Sequence, residues 1–256
     1  MLDLYKSLYE ISNNAKLKKY PDGSSVLIVT NKAIFRDKEW ENSKHNLDKS
    51  TPRIVTDTPR DDSINRARQK VIDITRMNSF RWFITWTLDG QKINRSDPKE
   101  VSTKLKTFLM NKVQRNNLNY LIIPEYHRDN LSIHIHGLIN GIFEMQDSGK
   151  ITNNNQAIYN MPDWKYGFST AIEIDNNNKA ISQYVTKYLN KDFRKIFGNF
   201  YYAGGNILRE PPTEFFNIDY NSIHTKEYKN EYMSFKYIEF DDKKTLEQFL
   251  AEYTSE

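Results

Sequence analysis

The hydrophobic and polar positions of the chain follow two periods, and these periods predict its strands and helices. Runs rich in aromatic and β-branched residues predict strands. These runs lie at 25–30, 80–88, 118–127, 131–139, 168–174, 200–203 and 233–240. Apolar residues three and four positions apart predict helices. The helical segments lie at 61–77, 97–115, 176–193 and 243–253. Residues 36–60 and 140–166 keep neither period, so they predict polar loops.

The order of the central elements predicts the fold class. From residue 80 onward the order is β-α-β-β-loop-β-α-β. This order is typical of an α+β fold with a ferredoxin-like central antiparallel sheet that carries its helices on one face. We therefore expect three consecutive parts: a basic N-terminal segment (1–78), a central domain (79–205) and an acidic C-terminal segment (206–256).

Composition excludes several classes of protein. With 38% hydrophobic and 13% aromatic residues among 256, the chain is too rich in core-forming residues to be disordered. Its apolar runs, such as 120–123, are far shorter than the about 20 residues that a bilayer crossing needs. The absence of cysteine excludes disulfides, Cys-ligated zinc and cysteine nucleophiles. Since the first residues also lack a signal-peptide pattern, we expect a soluble intracellular protein.

Charge is distributed unevenly along the chain. Residues 1–120 carry 23 Lys and Arg against 14 Asp and Glu, whereas residues 205–256 carry 6 against 11. A basic front half indicates a polyanionic partner, although ordinary surface charge gives the same imbalance. Arg66, Arg68 and Lys70 lie on the helix predicted at 61–77. We expect them either to contact a DNA backbone or to form a solvated helix face.

Three of the five histidines fall within ten residues, at His127, His134 and His136. Residues i and i+2 of a strand point to the same side, so His134 and His136 project together. A two-residue turn at 129–130 would place Glu125 directly across from His134. One carboxylate and two imidazoles form a nitrogen and oxygen site for a divalent ion, with His127 as a possible fourth ligand. Solvated strand histidines are the alternative interpretation.

The predicted helix at 176–193 contains the unit Y-x-x-K twice, as Tyr184 with Lys187 and Tyr188 with Lys191. The two tyrosines are one helical turn apart and therefore share a face. A phenol has a pKa near 10, and a neighbouring ammonium favours its phenolate form. Two such phenols can perform two successive transesterifications. An amphipathic helix with buried tyrosines and solvated lysines is the alternative.

Three motifs in this order resemble those of the HUH endonucleases. Within that superfamily the chain is most similar to the two-tyrosine rolling-circle replication initiators of microvirus-like phages and related plasmids. The motifs are the strand F-I-T-W-T-L-D at 83–89, the hairpin P-E-Y-H-R-D-N-L-S-I-H-I-H-G-L at 124–138 and the helix Y-V-T-K-Y-L-N-K at 184–191. The family more often has Leu at the Trp86 position. The resemblance covers about residues 62–205 and implies that 79–205 is an HUH endonuclease domain.

The resemblance implies metal-dependent nicking and joining of single-stranded or hairpin origin DNA in a bacterial cytoplasm. Mg²⁺ or Mn²⁺ would sit on Glu125, His134 and His136. Tyr184 or Tyr188 would form a 5′-phosphotyrosine and free a 3′-OH for a host polymerase. Lys187 and Lys191 would steady the phosphate and the phenolate. A host helicase would unwind the duplex, because no G-x-x-x-x-G-K-[ST] motif is present.

Bases beside the nick would stack on Trp82 or Trp86, as is usual for single strands. Core burial is the alternative for both tryptophans, and it is favoured for Trp82.

Other functions remain open at this point. A plasmid-mobilisation relaxase shares the histidine pair, but its tyrosines usually precede the histidines. A non-catalytic origin-binding regulatory protein would need neither Glu125 nor the tyrosines. A phage structural protein has only the aromatic content in its favour.

Overall fold

The computed structural model describes residues 10–36, 61–127, 129, 132–175, 178–189, 195–230 and 233–254. Within these residues the fold is α+β, with two antiparallel sheets and four α-helices. The strands are β1 (Glu10–Lys19), β2 (Ser25–Arg36), β3 (Trp82–Leu88), β4 (Asn119–Tyr126), β5 (Ile133–Asn140), β6 (Gln146–Ile151), β7 (Ala157–Asn160), β8 (Gly167–Glu173), β9 (Tyr202–Gly204), β10 (Thr213–Phe216), β11 (Glu227–Lys229) and β12 (Ser234–Phe240). The helices are α1 (Asp61–Met77), α2 (Pro98–Asn116), α3 (Asn178–Leu189) and α4 (Lys243–Tyr253).

The helices begin where their capping residues predict. The Asp97 side chain accepts a hydrogen bond from the backbone N–H of Lys99 at 2.9 Å, and Pro98 takes the first helical position of α2. Asp242 caps α4 in the same way through the backbone N–H of Thr245. The strands and helices predicted from the two periods are all found, with bounds that differ by a few residues. The loop predicted at 36–60 lies almost wholly outside the described residues.

The chain forms two compact units, Thr56–Glu210 and the pair Met1–Val55 with Pro211–Glu256. In the second unit, strands from both ends of the chain form one sheet in the order β10-β1-β2-β12-β11. Leu246 and Phe249 of α4 belong to the apolar core of this unit. The N-terminal and C-terminal segments of the sequence division thus share a sheet, whereas α1 belongs to the Thr56–Glu210 unit.

The sheet of the Thr56–Glu210 unit has seven strands in the order β6-β7-β8-β3-β5-β4-β9. Strand β5 pairs antiparallel with both β3 and β4, so β3 and β4 run parallel with β5 between them. Helix α2 connects β3 to β4, which makes a split β-α-β unit. Strands β5, β3 and β4 are therefore neighbours at the centre of the sheet.

Helices cover both faces of this sheet, so the prediction of helices on one face is wrong. Trp82, Ile84 and Trp86 of β3 pack in one apolar cluster with residues of α2. Phe83 packs in a separate cluster with residues of α1 and α3. The reason is that β3 is apolar on both sides over most of its length, and such strands are buried on both faces.

The predicted loop at 140–166 is also wrong in part, because it contains β6 and β7. These two strands form a hairpin that extends the sheet, with Ile158 of β7 paired with Ile172 of β8. Five of the six residues of β6 are exposed. An edge strand of this kind buries no face, and it therefore shows no hydrophobic period.

The hairpin of β4 and β5 depends on a close approach at Gly137. A Cβ atom at this position would lie 2.8 Å from the Cα of Ile122 and would also meet the carbonyl oxygen of Leu121. Only glycine leaves the room that the neighbouring strand occupies. Gly137 follows His136 directly, so this contact fixes the strand that carries the histidine pair.

Among the described residues, none of the helices combines the length and the apolar character that crossing a membrane requires.

Candidate functional site

The β4–β5 hairpin has the register that the sequence predicts. Glu125 is paired with His134, and Ile123 is paired with His136. On the other side of β5, Thr85 of β3 is paired with His136 and Thr87 with His134. Because side chains alternate along each strand, Glu125, both histidines and both threonines lie on the same face of the sheet. This is the face that α1 and α3 cover.

His136 is held between two polar side chains. Its Nε2 lies 3.4 Å from Oε2 of Glu125, a carboxylate with only 6% of its surface exposed. Its Nδ1 lies 3.1 Å from Oγ1 of Thr85, within hydrogen-bond distance. A hydrogen bond to one ring nitrogen orients the ring and selects which nitrogen is available for other chemistry. The imidazole therefore presents Nε2 to the buried carboxylate.

His134 lies beside this pair and contacts a different neighbour. Its ring stacks on that of His127 with the centroids 4.6 Å apart, whereas the centroids of His134 and His136 are 6.4 Å apart. Within the described part of the chain, no three His, Asp or Glu side chains converge closely enough to hold an ion as they stand. The structure thus brings Glu125 and His136 together and places His134 and His127 next to them.

Helix α3 carries its two tyrosines to the same place. The hydroxyl oxygens of Tyr184 and Tyr188 lie 2.9 Å apart and share a hydrogen bond. The ring of Tyr188 stacks on His136, with the centroids 4.2 Å apart and the planes at 21°. The phenols and the histidine hairpin, which are about fifty residues apart in the sequence, therefore form one site.

Phe83 supports this arrangement from β3. It stacks on Tyr188 at 5.8 Å and meets Tyr184 edge to face at 5.2 Å. It also lies parallel to His136 at 6.3 Å. A buried ring that contacts both tyrosines and the histidine restricts the positions that the phenols can take relative to the sheet.

The surroundings of Tyr188 favour the neutral phenol. Burial raises the pKa of Tyr188, and the hydrogen bond with Tyr184 and the negative charge of Glu125 raise it further. A cation at the site would have the opposite effect.

The predicted lysines of the helix differ in what can be said of them. Lys187 is exposed and places its ammonium 5.5 Å from the centre of the Tyr184 ring. This contact lies over the ring, where the π electrons attract a cation. Lys191 lies outside the described residues.

Residues 81–193 match a family model described as Replication-associated protein ORF2. The match includes the whole histidine hairpin and the whole of α3, and it spans less than half of the chain. It supports a role as a replication initiator, which implies binding to DNA. The curated proteins and the solved structures that were compared gave no match to this chain.

Trp86 does not face this site, and the prediction that it stacks on DNA bases is wrong. Its side chain is fully buried, and its ring stacks on Trp164 with the centroids 4.7 Å apart. It also meets Phe108 of α2 edge to face. Trp82 belongs to the same core cluster, as the sequence favoured. Even-numbered residues of β3 point to the α2 face, so both tryptophans lie on the far side of the sheet from the histidines.

The predicted DNA-contacting residues of α1 fall into different environments. Arg66 is exposed and lines a polar pocket of about 520 Å³, together with Lys195 and Arg209. Lys70 forms an ion pair with Glu210. Arg68 donates a hydrogen bond from Nη1 to Oδ1 of Asn65 at 2.8 Å. Of the three predicted residues, Arg66 is thus the one that lies in a pocket with other cationic side chains.

Sequence reasoning did not assign roles to Phe83 and Thr85. The signal was present in the segment F-I-T-W-T-L, where threonines alternate with large apolar residues. Alternation of this kind marks a strand with one polar strip. Which face of the sheet the strip occupies follows only from the pairing of β3 with β5.

Proposed function

We propose that this chain is an HUH-type endonuclease and strand transferase that initiates rolling-circle DNA replication. The observation that carries the proposal is the contact between the two halves of the site. Tyr188 stacks on His136 and shares a hydrogen bond with Tyr184, and His136 in turn faces the buried carboxylate of Glu125. A pair of nucleophiles beside a carboxylate and imidazoles is an arrangement suited to phosphoryl transfer between DNA strands.

The strand order supports an HUH endonuclease fold. The strands β3, β4, β5 and β8 appear along the chain in that order, and they lie in the sheet as β8-β3-β5-β4. A ferredoxin-like sheet has this arrangement of four strands, with the first strand central and next to the third. The helices on both faces and the added β6–β7 hairpin are elaborations of that core.

The donor set fits a divalent cation. A carboxylate and imidazoles are suitable ligands for Mn²⁺ or Mg²⁺ at a catalytic site. Ligand atoms that each lie about 2.1 Å from an octahedral ion stand about 3.0 Å apart, close to the 3.4 Å between Glu125 and His136. Glu125, His136 and His134 would hold the ion, with His127 as a further candidate. When bound, the ion would polarise the scissile phosphate and favour the phenolate.

The chain's own residues would perform a transesterification. The hydroxyl oxygen of Tyr184 or Tyr188 attacks the phosphorus, and the bond from phosphorus to the 3′ oxygen breaks. The proton of the phenol ends on the departing 3′ oxygen, which gives a 5′-phosphotyrosine and a free 3′-OH. Since one phosphodiester replaces another, the reverse step joins strands without ATP. Lys187 and Lys191 would steady the phosphate as point charges.

The two phenols suit two successive cleavages. While one of them is esterified to DNA, the other remains one helical turn away on the same face of α3. It is then available to attack the regenerated junction after one round of synthesis. The substrate would be single-stranded or hairpin origin DNA, with a host helicase and polymerase as partners.

The experiment that tests the proposal is covalent capture of DNA. Purified protein is mixed with Mn²⁺ and single-stranded oligonucleotides, and the products are separated in SDS. We expect an SDS-stable adduct from the wild type and none from the variant with both Tyr184→Phe and Tyr188→Phe, because phenylalanine keeps the rings and removes both nucleophiles.

Matched controls come from the other unit. Tyr228 is 41% exposed, similar to the 45% of Tyr184, and Tyr228→Phe should leave the adduct intact. His134→Ala with His136→Ala should abolish cleavage and spare part of the DNA affinity, whereas His224→Ala should change neither. An adduct that persists at full yield in the double tyrosine variant would falsify the nucleophile assignment. DNA binding without any adduct from the wild type would favour a non-catalytic origin-binding protein.

A further inference from the structure

A cavity of about 520 Å³ opens beside Tyr184. This volume is within the range of about 300 to 1,000 Å³ that small-ligand sites occupy. Tyr184 itself lines the cavity, together with residues of β3, β8, α3 and the turn between β6 and β7. A DNA strand whose phosphate reaches the tyrosine hydroxyls would therefore bring its neighbouring bases to the mouth of this cavity.

The walls of the cavity are apolar. Phe83 and Ile181 are largely buried, and Ile172 and Ile174 are half-buried. No charged side chain lines the cavity among the residues that the structure describes. A phosphate group would find no cation here, whereas the flat, uncharged face of a base matches such walls.

The rim of the cavity carries three side-chain amides, those of Asn153, Asn154 and Gln156. All three are exposed, and none of these amides forms a hydrogen bond with the described part of the protein. The turn is held instead by Thr152, whose Oγ1 accepts hydrogen bonds from the backbone N–H groups of Asn154 and Gln156 at 3.2 and 3.1 Å. The amides are thus available to a ligand, on a turn whose backbone has its own support.

From this combination we infer that the cavity binds one unpaired base next to the scissile phosphate, and that the amides recognise its edge. The inference rests on the proposed function and adds a base-specific site to it. Each amide offers a donor and an acceptor in one plane, which is the pattern that pairs with adenine through its N6 and N7 atoms. Enzymes that act on unpaired nucleotides commonly combine stacking walls with hydrogen bonds to the base edge. We therefore expect adenine at this position of the nick site.

The experiment is a selection from a random single-stranded oligonucleotide library. Protein and Mn²⁺ are incubated with the library, SDS-stable adducts are isolated, and the attached DNA is sequenced. We expect the wild type to enrich adenine by roughly ten-fold or more at one position within two nucleotides of the nick, in line with the value of one bidentate base contact. The variant with Asn153→Ala, Asn154→Ala and Gln156→Ala should lose that enrichment and keep the preferences at other positions.

Two further variants separate recognition from structure. Gln146→Ala removes an exposed amide from the same hairpin, outside the cavity lining, and should keep the wild-type enrichment. Ala180→Leu places a larger side chain in the cavity without altering the amides, and should lose the enrichment. Thermal unfolding of each variant checks that it folds.

The outcomes for the two proposals are distinguishable. Adducts from the wild type with the same base preference as the triple-alanine and Ala180→Leu variants would overturn the base site and leave nicking intact. Adducts without any preference near the nick would overturn it as well. Absence of adducts from the wild type would overturn both proposals.

Discussion

Thr85 is the residue that orients the imidazole at the centre of the site. Its hydroxyl meets Nδ1 of His136, while Nε2 of the same ring faces Glu125. A metal-binding histidine depends on such a partner for its orientation and its tautomer. A short polar side chain in the neighbouring strand is thus as much a part of the site as the two groups beside it.

We expect Thr85→Val to weaken Mn²⁺ binding by about ten-fold or more, because valine keeps the shape of threonine and loses the hydrogen bond. Calorimetric titration of the purified protein with Mn²⁺ measures the change. Thr87→Val is the matched control, since Thr87 lies on the same face of β3 opposite His134 and its side chain has no hydrogen bond to the described residues. Equal Mn²⁺ affinities of wild type and Thr85→Val would contradict this role.

At this scale the sequence predicted the cross-strand pairs and missed the contacts between side chains. The pairing of Glu125 with His134 follows from the turn length and from strand alternation, which are local rules. The stacking of Tyr188 on His136 and the support from Phe83 depend on how α3 packs against the sheet. Packing between elements distant in sequence has no local signal, so these contacts became visible only in the structure.

Helix α1 is an element whose charges lie in unequal surroundings. Arg66 lines a pocket with Lys195 and Arg209, whereas the ammonium of Lys70 is paired with the carboxylate of Glu210. A DNA phosphate gains more from a pocket lined by several cations than from a lysine whose charge a carboxylate already balances. The helix is therefore better described as having one end suited to DNA than as a uniformly basic face.

We expect Arg66→Ala to weaken binding to single-stranded DNA and to reduce the slope of log K against log salt by about 0.7, the value of one lost phosphate contact. Lys70→Ala should change both quantities much less, because its charge is already balanced by Glu210 in the protein without DNA. Fluorescence anisotropy across a range of salt concentrations measures both variants. The assignment fails if Lys70→Ala has the larger effect on the slope.

The elements themselves were predictable to the extent that they bury one face. Helices α1 to α4 show their apolar stripe in the sequence and were found close to the expected positions. Strands β6 and β1 were not predicted, because β6 buries neither face and β1, with the sequence E-I-S-N-N-A-K-L-K-K, is largely polar. The covering of both sheet faces by helices was missed because β3 is apolar on both sides, which leaves the side of each helix undetermined.

The whole molecule has a discontinuous unit and a continuous one. Residues 56–210 form a unit from a single stretch of chain, whereas the other unit joins Met1–Val55 with Pro211–Glu256. The pairing of Ala15 with Phe216 connects these two segments across about two hundred residues. No local pattern can predict such a pairing, which is why three consecutive segments were expected. All described residues of the candidate site belong to the continuous unit.

We expect the fragment Thr56–Glu210 to fold by itself and to form the DNA adduct, because it contains its own sheet, both of its apolar clusters and the complete candidate site. Circular dichroism during heating should show one cooperative transition, and the SDS assay should detect the adduct. The same fragment with Tyr184→Phe and Tyr188→Phe serves as the control without nucleophiles. A fragment that shows no cooperative transition would contradict the independence of this unit.

The discontinuous unit also has a consequence for the order of events during protein synthesis. Strands β1 and β2 leave the ribosome first, yet their neighbours β10 and β12 are translated only near the end. The Thr56–Glu210 unit can therefore be complete while β1 and β2 still lack two of the strands that flank them. Ribosomes that stop before residue 234 would release chains with an intact candidate site and an unprotected sheet edge, which is a surface prone to aggregation.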